Sequence, residues 1–427
     1  MSASLAMSTP FYCGCETEPE SDGLISVDAA LRRGLSLARP VQEVECLPLD
    51  QAHGRVLAKA VRSGVVLPHF DNSAMDGYAI RLADLAGEGP WRLPVAGRVA
   101  AGDTGDEPLP RGAALRIFTG APIPPGCDAV VMQEMTQLQG RVVQIDRRPE
   151  PGENIRRAGE DLIAGTELLS AGRRIGPRAA MLLASAGCGE VVVRRRIKVA
   201  FFSTGSELRS PGRPLARGQI WNANRYHLAG SLALPWVEQR DLGNVPDEPN
   251  FLLQALKQAA RDADIVVTTG GVSVGDEDHM PAMLHAAGGR AHAMKVAIKP
   301  GKPLVIGCIG GAIYLGLPGN PVSAFVTWRV IGARIAEALA GISDAAPRRI
   351  IVRAGFERSR RPGRCEFLPA RLSDYDGRGT RAANIASAAV SHRVALLAGA
   401  DGLLLIPAEM ERILRGDMLE FLPFWDE

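Results

Sequence analysis

Four segments in the middle of this sequence carry residues able to hold an anion. Ser203-Thr204-Gly205-Ser206-Glu207-Leu208 follows the apolar run Val199-Ala200-Phe201-Phe202. A strand that ends in small and hydroxyl residues leaves backbone N–H groups open to an anion, and Glu207 adds a carboxylate at the same edge. A plain strand-to-helix turn accounts for the same residues. Thr268-Thr269-Gly270-Gly271-Val272-Ser273-Val274-Gly275-Asp276-Glu277-Asp278 combines glycines, which permit close approach of backbone to a ligand, with hydroxyls and three consecutive carboxylates. Carboxylates beside phosphate-binding amides make chemical sense where a hard cation such as Mg2+ bridges them. An acidic first turn favouring the next helix dipole is the structural alternative. Lys295-Val-Ala-Ile-Lys299-Pro-Gly-Lys302 places three ammonium groups within eight residues, enough to hold an oxyanion or a pyrophosphate if they face one cleft, and otherwise a solvated basic face. Gly316-Leu317-Pro318-Gly319-Asn320-Pro321-Val322-Ser323 forms a rigid turn leading into a helix at Pro321.

The first half contributes polar loops of less obvious chemistry: Asp71 to Tyr78, Ile117-Phe118-Thr119-Gly120-Ala121-Pro122, and Gly152 to Asp161 with Arg156, Arg157, Glu160 and Asp161. No G-x-S-x-G, H-E-x-x-H or Walker A string occurs. His69, His227 and His279 stand alone and read as structural or exposed residues rather than ligands.

The elements that must position these loops follow from the patterning. Ser26 and Asp28 before Ala29, Leu31 and Leu35 mark a helix start, followed by a strand, within residues 24–62. Short strands at Leu115 to Phe118, Ala129 to Met132 and Arg141 to Ile145, separated by Gly and Pro, predict a small β-rich domain over 67–150. A helix is expected near Pro177 to Ala186. From 196 to 345 buried strands (Lys198 to Ser203, Asp264 to Thr268, Leu304 to Ile306, Ile313 to Leu315) alternate with helices (Asn224 to Leu234, Glu248 to Ala263, Pro281 to Ala287, Pro321 to Leu339). That alternation predicts an α/β domain with a mostly parallel sheet and helices on both faces. Its ligands would sit at the carboxyl ends of the strands, at Thr204, Gly270 and Leu317. Residues 346–427 return to short strands (Ile350 to Ala354, Gly402 to Ile406, Met418 to Phe421) and predict a C-terminal β-domain. Residues 24–66 and 151–195 together are expected to form a discontinuous linking and dimerisation domain, and 1–23 a disordered leader.

Composition narrows the class. The 427 residues suffice for about two to four domains. A net charge of +2 gives no global field to draw the protein onto nucleic acid, so an anionic ligand must be met by local charge. No apolar run is long enough to predict a membrane span, and no secretory signal is expected at the N-terminus. Seven cysteines, mostly isolated, predict a reduced, cytoplasmic protein rather than a disulfide framework. Cys13 and Cys15 make at most half a metal site.

Seven strings, in this order, resemble the MoeA family of molybdopterin molybdenumtransferases, with the gephyrin and plant Cnx E-domains as relatives: FDNSAMDGYA, FTGAPIPPGCDAVVMQE, ENIRRAGED, FSTGSEL, TGGVSVGDED, AIKPGKP and GLPGNPVS. The strings run from Phe70 to Ser323, the resemblance covers about residues 24–340, and the C-terminal segment fits more loosely. The resemblance implies an elongated homodimer of four-domain subunits, with residues 196–345 as the molybdopterin-binding domain. Its cleft would form between that domain of one subunit and the β-rich domain of the other, so that Asp76 and Thr119 reach across the dimer. It also implies that Asp161, Glu207, Asp247 and Asp278 are the acidic cleft residues, with Glu207 and Asp278 as Mg2+ ligands. Ser203, Thr204, Gly205, Gly270, Gly271, Ser273, Lys295, Lys299, Lys302, Pro318, Pro321 and Ser323 would bind the substrates.

The chain departs from the family where Ser206 replaces an acidic residue and where Ile220-Trp221-Asn222-Ala223-Asn224 stands for I-Y-D-x-N; both changes remove negative charge. Glu366-Phe367 is followed by Leu368-Pro369 rather than His-Arg, so an oxyanion-binding arginine there would be Arg364 or Arg371. The implied reaction is insertion of molybdate into adenylylated molybdopterin with release of AMP, assisted by Mg2+, with other cofactor-biosynthesis proteins as possible partners. A molybdopterin adenylyltransferase and a non-catalytic molybdopterin-binding scaffold are the alternatives.

Overall fold

A computed structural model describes residues 23–272, 279–343, 349–377, 379–385 and 393–424. Asp276, Glu277, Asp278, Ser273, Cys13 and Cys15 lie outside the described residues.

The centre of the molecule is a six-stranded sheet in the order Val237–Val245, Ile197–Thr204, Ile265–Thr269, Ala312–Leu317, Pro303–Ile309, Arg290–Lys295. Only Pro303–Ile309 runs against the others, because it forms a hairpin with Ala312–Leu317. The expected mostly parallel α/β sheet is therefore present.

Side chains alternate across a strand, so an uninterrupted apolar strand must be covered on both faces. Val199 and Phe201 join Val267, Leu315 and the helical run from Pro321 in one core. Ala200 and Phe202 join Val266, Tyr314, Leu252 and Leu256 in another. The amphipathic helix Pro249–Ala260 supplies those last two leucines.

The helix Val27–Leu37 begins where the sequence predicts, with Ser26 Oγ accepting from the Ala29 amide at 3.1 Å. Val27 and Ala30 are buried in the core that also holds Ile306 and Ile335. Its packing thus places it on the α/β sheet rather than beside residues 151–195. The strand Val44–Pro48 does join the later segment, pairing antiparallel with Glu190–Arg194. Leu57, Leu168, Ile175, Leu183 and Val193 close that small core.

A second six-stranded sheet uses residues 77–145, in the order Ala129–Met132, Gly77–Ile80, Ala114–Ile117, Trp91–Val99, Val142–Ile145, Thr136–Gln139. Tyr78 and Ile80 pack into one core and Ala79 into another, so the strand Gly77–Ile80 is buried on both faces. A third sheet gathers strands of residues 350–423, including Ile350–Ala354, Cys365–Leu372, Gly402–Ile406 and Met418–Pro423. The two-residue strand Ile298–Lys299 joins it, parallel to Cys365–Leu372. The basic segment is thereby stitched to the C-terminal sheet, a connection the local pattern did not predict.

Candidate functional site

The carboxyl ends of three adjacent strands meet at one edge of the central sheet. Thr204 closes the first, Thr269 the second and Leu317 the third, with Gly270 and Pro318 immediately following. The Gly270 amide donates to Leu317 O at 3.1 Å. Gly270 has φ +88°, and a Cβ there would lie 2.4 Å from Thr204 O, so only glycine lets these two loops approach. Gly271 also has positive φ.

Hydroxyls and amides line the floor of this edge. Thr269 Oγ1 donates to Ser203 Oγ at 2.9 Å, and Ser203 Oγ donates to Asn222 Oδ1 at 3.4 Å. Asn222 Nδ2 donates to Asn244 Oδ1 at 2.6 Å, and Asn222 Oδ1 accepts from the Arg225 amide at 3.1 Å. Asn224 Nδ2 reaches Gly319 O at 2.7 Å. Thr204 Oγ1 is buried and has no hydrogen-bond partner among the described residues. A buried hydroxyl left unsatisfied costs about 1–3 kcal/mol, so the orphaned oxygen marks a place where a ligand can complete the bonding.

The acidic residues of the set sit differently. Glu207 is exposed, and its carboxylate folds back to within 2.6 Å of where a Gly205 Cβ would be, which Gly205 at φ +150° accommodates. Asp247 is half-buried two residues beyond Val245, which pairs with Thr204. Both carboxylates therefore border the Thr204 edge. Among the described residues no three His, Cys, Asp or Glu side chains gather as a metal site.

Of the basic residues, Lys295 and Lys302 are half-buried at the two ends of a tight segment closed by the Val296 amide donating to Lys302 O at 2.9 Å. Lys299 instead donates to Glu366 Oε1 at 3.0 Å. Glu366 is 2% exposed and also meets Arg358 at 2.8 Å and Arg360 at 3.3 Å. Burial pushes the Glu366 carboxyl up, but Lys299, Arg358 and Arg360 outweigh it and hold it below the usual glutamate value. Arg371 is engaged elsewhere, its Nε donating to Gly399 O, while the Arg364 backbone carbonyl accepts from Arg360. Pro318 is buried, Pro321 half-buried, and Ser323 is 4% exposed inside the helix Pro321–Thr327.

Asp76 and Thr119 form a separate pair on the sheet of residues 77–145. The Thr119 amide and Thr119 Oγ1 both donate to Asp76 Oδ1 at 2.8 Å. Those two bonds, with Arg116 nearby, hold the Asp76 carboxyl below its ordinary value. Asp161 is exposed at the end of a loop whose Arg157 pairs with Asp71 at 2.6 Å. No described hydrogen bond or ion pair joins the Asp76–Thr119 pair to the Thr204 edge within one chain.

The sequence marks Ser203, Thr269 and Asn222 but not Asn244, and it marks Glu366 only for the residues that follow it, not as the partner of Arg358 and Arg360. A lone carboxylate inside Cys365-Glu366-Phe367-Leu368 was the available signal, since a buried charge requires partners.

The comparisons with known proteins agree along the chain. Residues 25–187 match the MoeA N-terminal region (domain I and II), 200–337 a probable molybdopterin binding domain, and 352–424 the MoeA C-terminal region (domain IV). A molybdopterin molybdenumtransferase of Haemophilus influenzae is 42% identical over 306 residues, covering 71% of this chain and 75% of that protein. Molybdopterin molybdenumtransferase 2 of Mycobacterium tuberculosis is 37% identical over 389 residues, covering 89% and 94%. The crystal structure of a molybdopterin biosynthesis MoeA protein from Pyrococcus horikoshii superposes with a TM-score of 0.77 at 28% identity, covering 94% of this chain and 100% of that one. The chain belongs to the MoeA family of molybdopterin molybdenumtransferases, enzymes of molybdenum cofactor biosynthesis.

Proposed function

We propose that the chain inserts molybdate into adenylylated molybdopterin with release of AMP. The observation that supports this most directly is the edge at Thr204, Gly270 and Pro318, with a buried hydroxyl that has no partner among the described residues and its glycine-dependent backbone approach. Hydroxyl and backbone N–H donors at strand ends suit phosphate oxygens. In this reading Ser203, Thr204, Gly205, Gly270, Gly271 and Ser273 hold the substrate's phosphates. Lys295 and Lys302 lower the repulsion between that anion and molybdate, and Lys299, fixed by Glu366, keeps the basic segment in place. No covalent protein nucleophile is required; the residues place two anions together and stabilise the charge that develops as water attacks the pyrophosphate, giving AMP and the pterin phosphate, while the dithiolene sulfurs take molybdenum and molybdate oxygen leaves as water.

Hard cations take oxygen ligands, and the Glu207 carboxylate, folded back beside Gly205 at this edge, would be one ligand to Mg2+, with Asp278 as the further ligand implied by the family resemblance. When bound, Mg2+ would neutralise phosphate charge. The Asp76–Thr119 pair fits a homodimer in which it closes the partner subunit's edge. The described cysteines are free thiols, which supports a reducing compartment such as the cytoplasm.

The test is Thr204→Val, which removes one hydroxyl and keeps the shape. AMP release from adenylylated molybdopterin in the presence of molybdate should fall at least about tenfold, equivalent to about 1.4 kcal/mol, with Tm unchanged. Mass spectrometry of the bound pterin should show less molybdenum incorporated. Wild-type AMP release by this variant would remove Thr204 from the site.

A further inference from the structure

A cavity of about 580 Å3 opens on the sheet of residues 77–145, and none of the roles assigned above uses it. Tyr78, Arg98, Arg116, Gln133, Leu138 and Arg141 line it. Strand register brings three of them into a row. Tyr78 lies opposite Arg116, and Arg116 lies beside Arg98 on the next strand, so all three project from one face. Arg141 comes from the turn between Thr136–Gln139 and Val142–Ile145.

Arg116 is held in place. Its guanidinium stacks over the Tyr78 ring at 5.1 Å and the Phe118 ring at 5.0 Å. It donates to Gly77 O at 3.3 Å and to the Gln133 side-chain oxygen. Arg98 and Arg141 are exposed, and their side chains make no hydrogen bond or ion pair among the described residues. No carboxylate lines the cavity among the described residues. Arg98 and Arg141 thus bring charge to this cavity that no described partner neutralises, whereas Arg116 is anchored and lies near the Asp76 and Glu134 carboxylates. A planar guanidinium is also the side chain best matched to phosphate oxygens. Leu138, 56% exposed, with the half-buried Val95, provides apolar surface for a flat ring beside that charge. The volume lies within the roughly 300–1,000 Å3 usual for small-molecule sites.

We propose that this cavity binds a phosphate monoester carried on a planar heterocycle. Within the reading above, on which the choice of ligand rests, two sources share that chemistry: AMP and a pterin phosphate. The site adjoins Asp76, because the Gln133 amide donates to Asp76 O at 3.0 Å while its side chain meets Arg116. Occupancy would therefore be felt at the Asp76–Thr119 pair.

The experiment is equilibrium dialysis of the full-length protein with AMP, adenosine and a phosphorylated pterin. Wild type is compared with R98Q/R141Q and, separately, Thr204→Val. AMP or the pterin phosphate should bind at least tenfold more weakly to R98Q/R141Q, whose Tm should match wild type, while any adenosine binding should be unaffected. The tighter of the two phosphates identifies the source. Wild-type binding of both phosphates by R98Q/R141Q overturns the cavity, even if Thr204→Val loses AMP and the proposed function stands. Loss in R98Q/R141Q with Thr204→Val unchanged supports the cavity and removes phosphate binding from Thr204.

Discussion

Glu366, buried, and His227, mostly shielded from solvent, are ionisable groups accommodated in opposite ways. Glu366 is stabilised as an anion by three cations, so Glu366→Gln leaves Lys299, Arg358 and Arg360 uncompensated. Removing one partner of a buried ionic cluster costs about 3–5 kcal/mol, and urea denaturation at neutral pH should show a loss of that order. Because its folded pKa lies below the ordinary 4.5, the stabilisation is complete above that value and is lost as pH falls further. His227 packs against Phe325 with ring centroids 5.0 Å apart, and burial lowers its pKa from 6.5 to about 4. The folded state therefore keeps it neutral between those values while the unfolded chain takes up a proton. Stability contributed there is full above pH 6.5 and falls by about 3 kcal/mol on approaching pH 4. His227→Leu should flatten this part of the pH–stability curve; an unchanged slope between pH 6.5 and 4.5 would remove His227 as its source.

At the scale of elements, the helix Val27–Leu37 approaches the helix Ala333–Leu339 through Gly34, where a Cβ would lie 2.2 Å from Ile335 Cδ1. Gly34→Ala should improve helix propensity yet lower stability by about 1–2 kcal/mol, since overpacking outweighs the backbone gain. A higher melting temperature for this variant would contradict the close approach. Continuous apolar strands and a capping serine were legible locally, and the helix start at Ser26 and the strands around Phe201 and Val267 fall where the pattern puts them. The expected single helix from Pro321 to Leu339 instead contains a π-helical turn at Trp328–Gly332. A Cβ at Gly332 would lie 2.5 Å from the Trp328 ring, a contact that side-chain periodicity does not encode.

For the whole molecule, the composite-site reading makes a prediction that single variants cannot. Asp76→Asn and Thr204→Val would each disable both sites of a homodimer, but a mixed dimer would keep one intact site. Co-expressed in equal amounts, random pairing should restore about a quarter of wild-type activity. No recovery in dimers shown to be mixed would place both residues in the same site of one chain.

The sequence by itself determined the loop chemistry at Thr204, Gly270 and Lys295 to Lys302, the alternating α/β pattern that carries it, and the family. These are properties of residue type and spacing along a strand or turn. Tertiary structure decided what distant segments do to one another. It gave Lys299 a buried partner 67 residues away, moved the first helix onto the central sheet, and aligned Tyr78, Arg116 and Arg98 in one row. Electrostatic pairing and strand register act across space, and the linear order of residues leaves both open until the chain has folded.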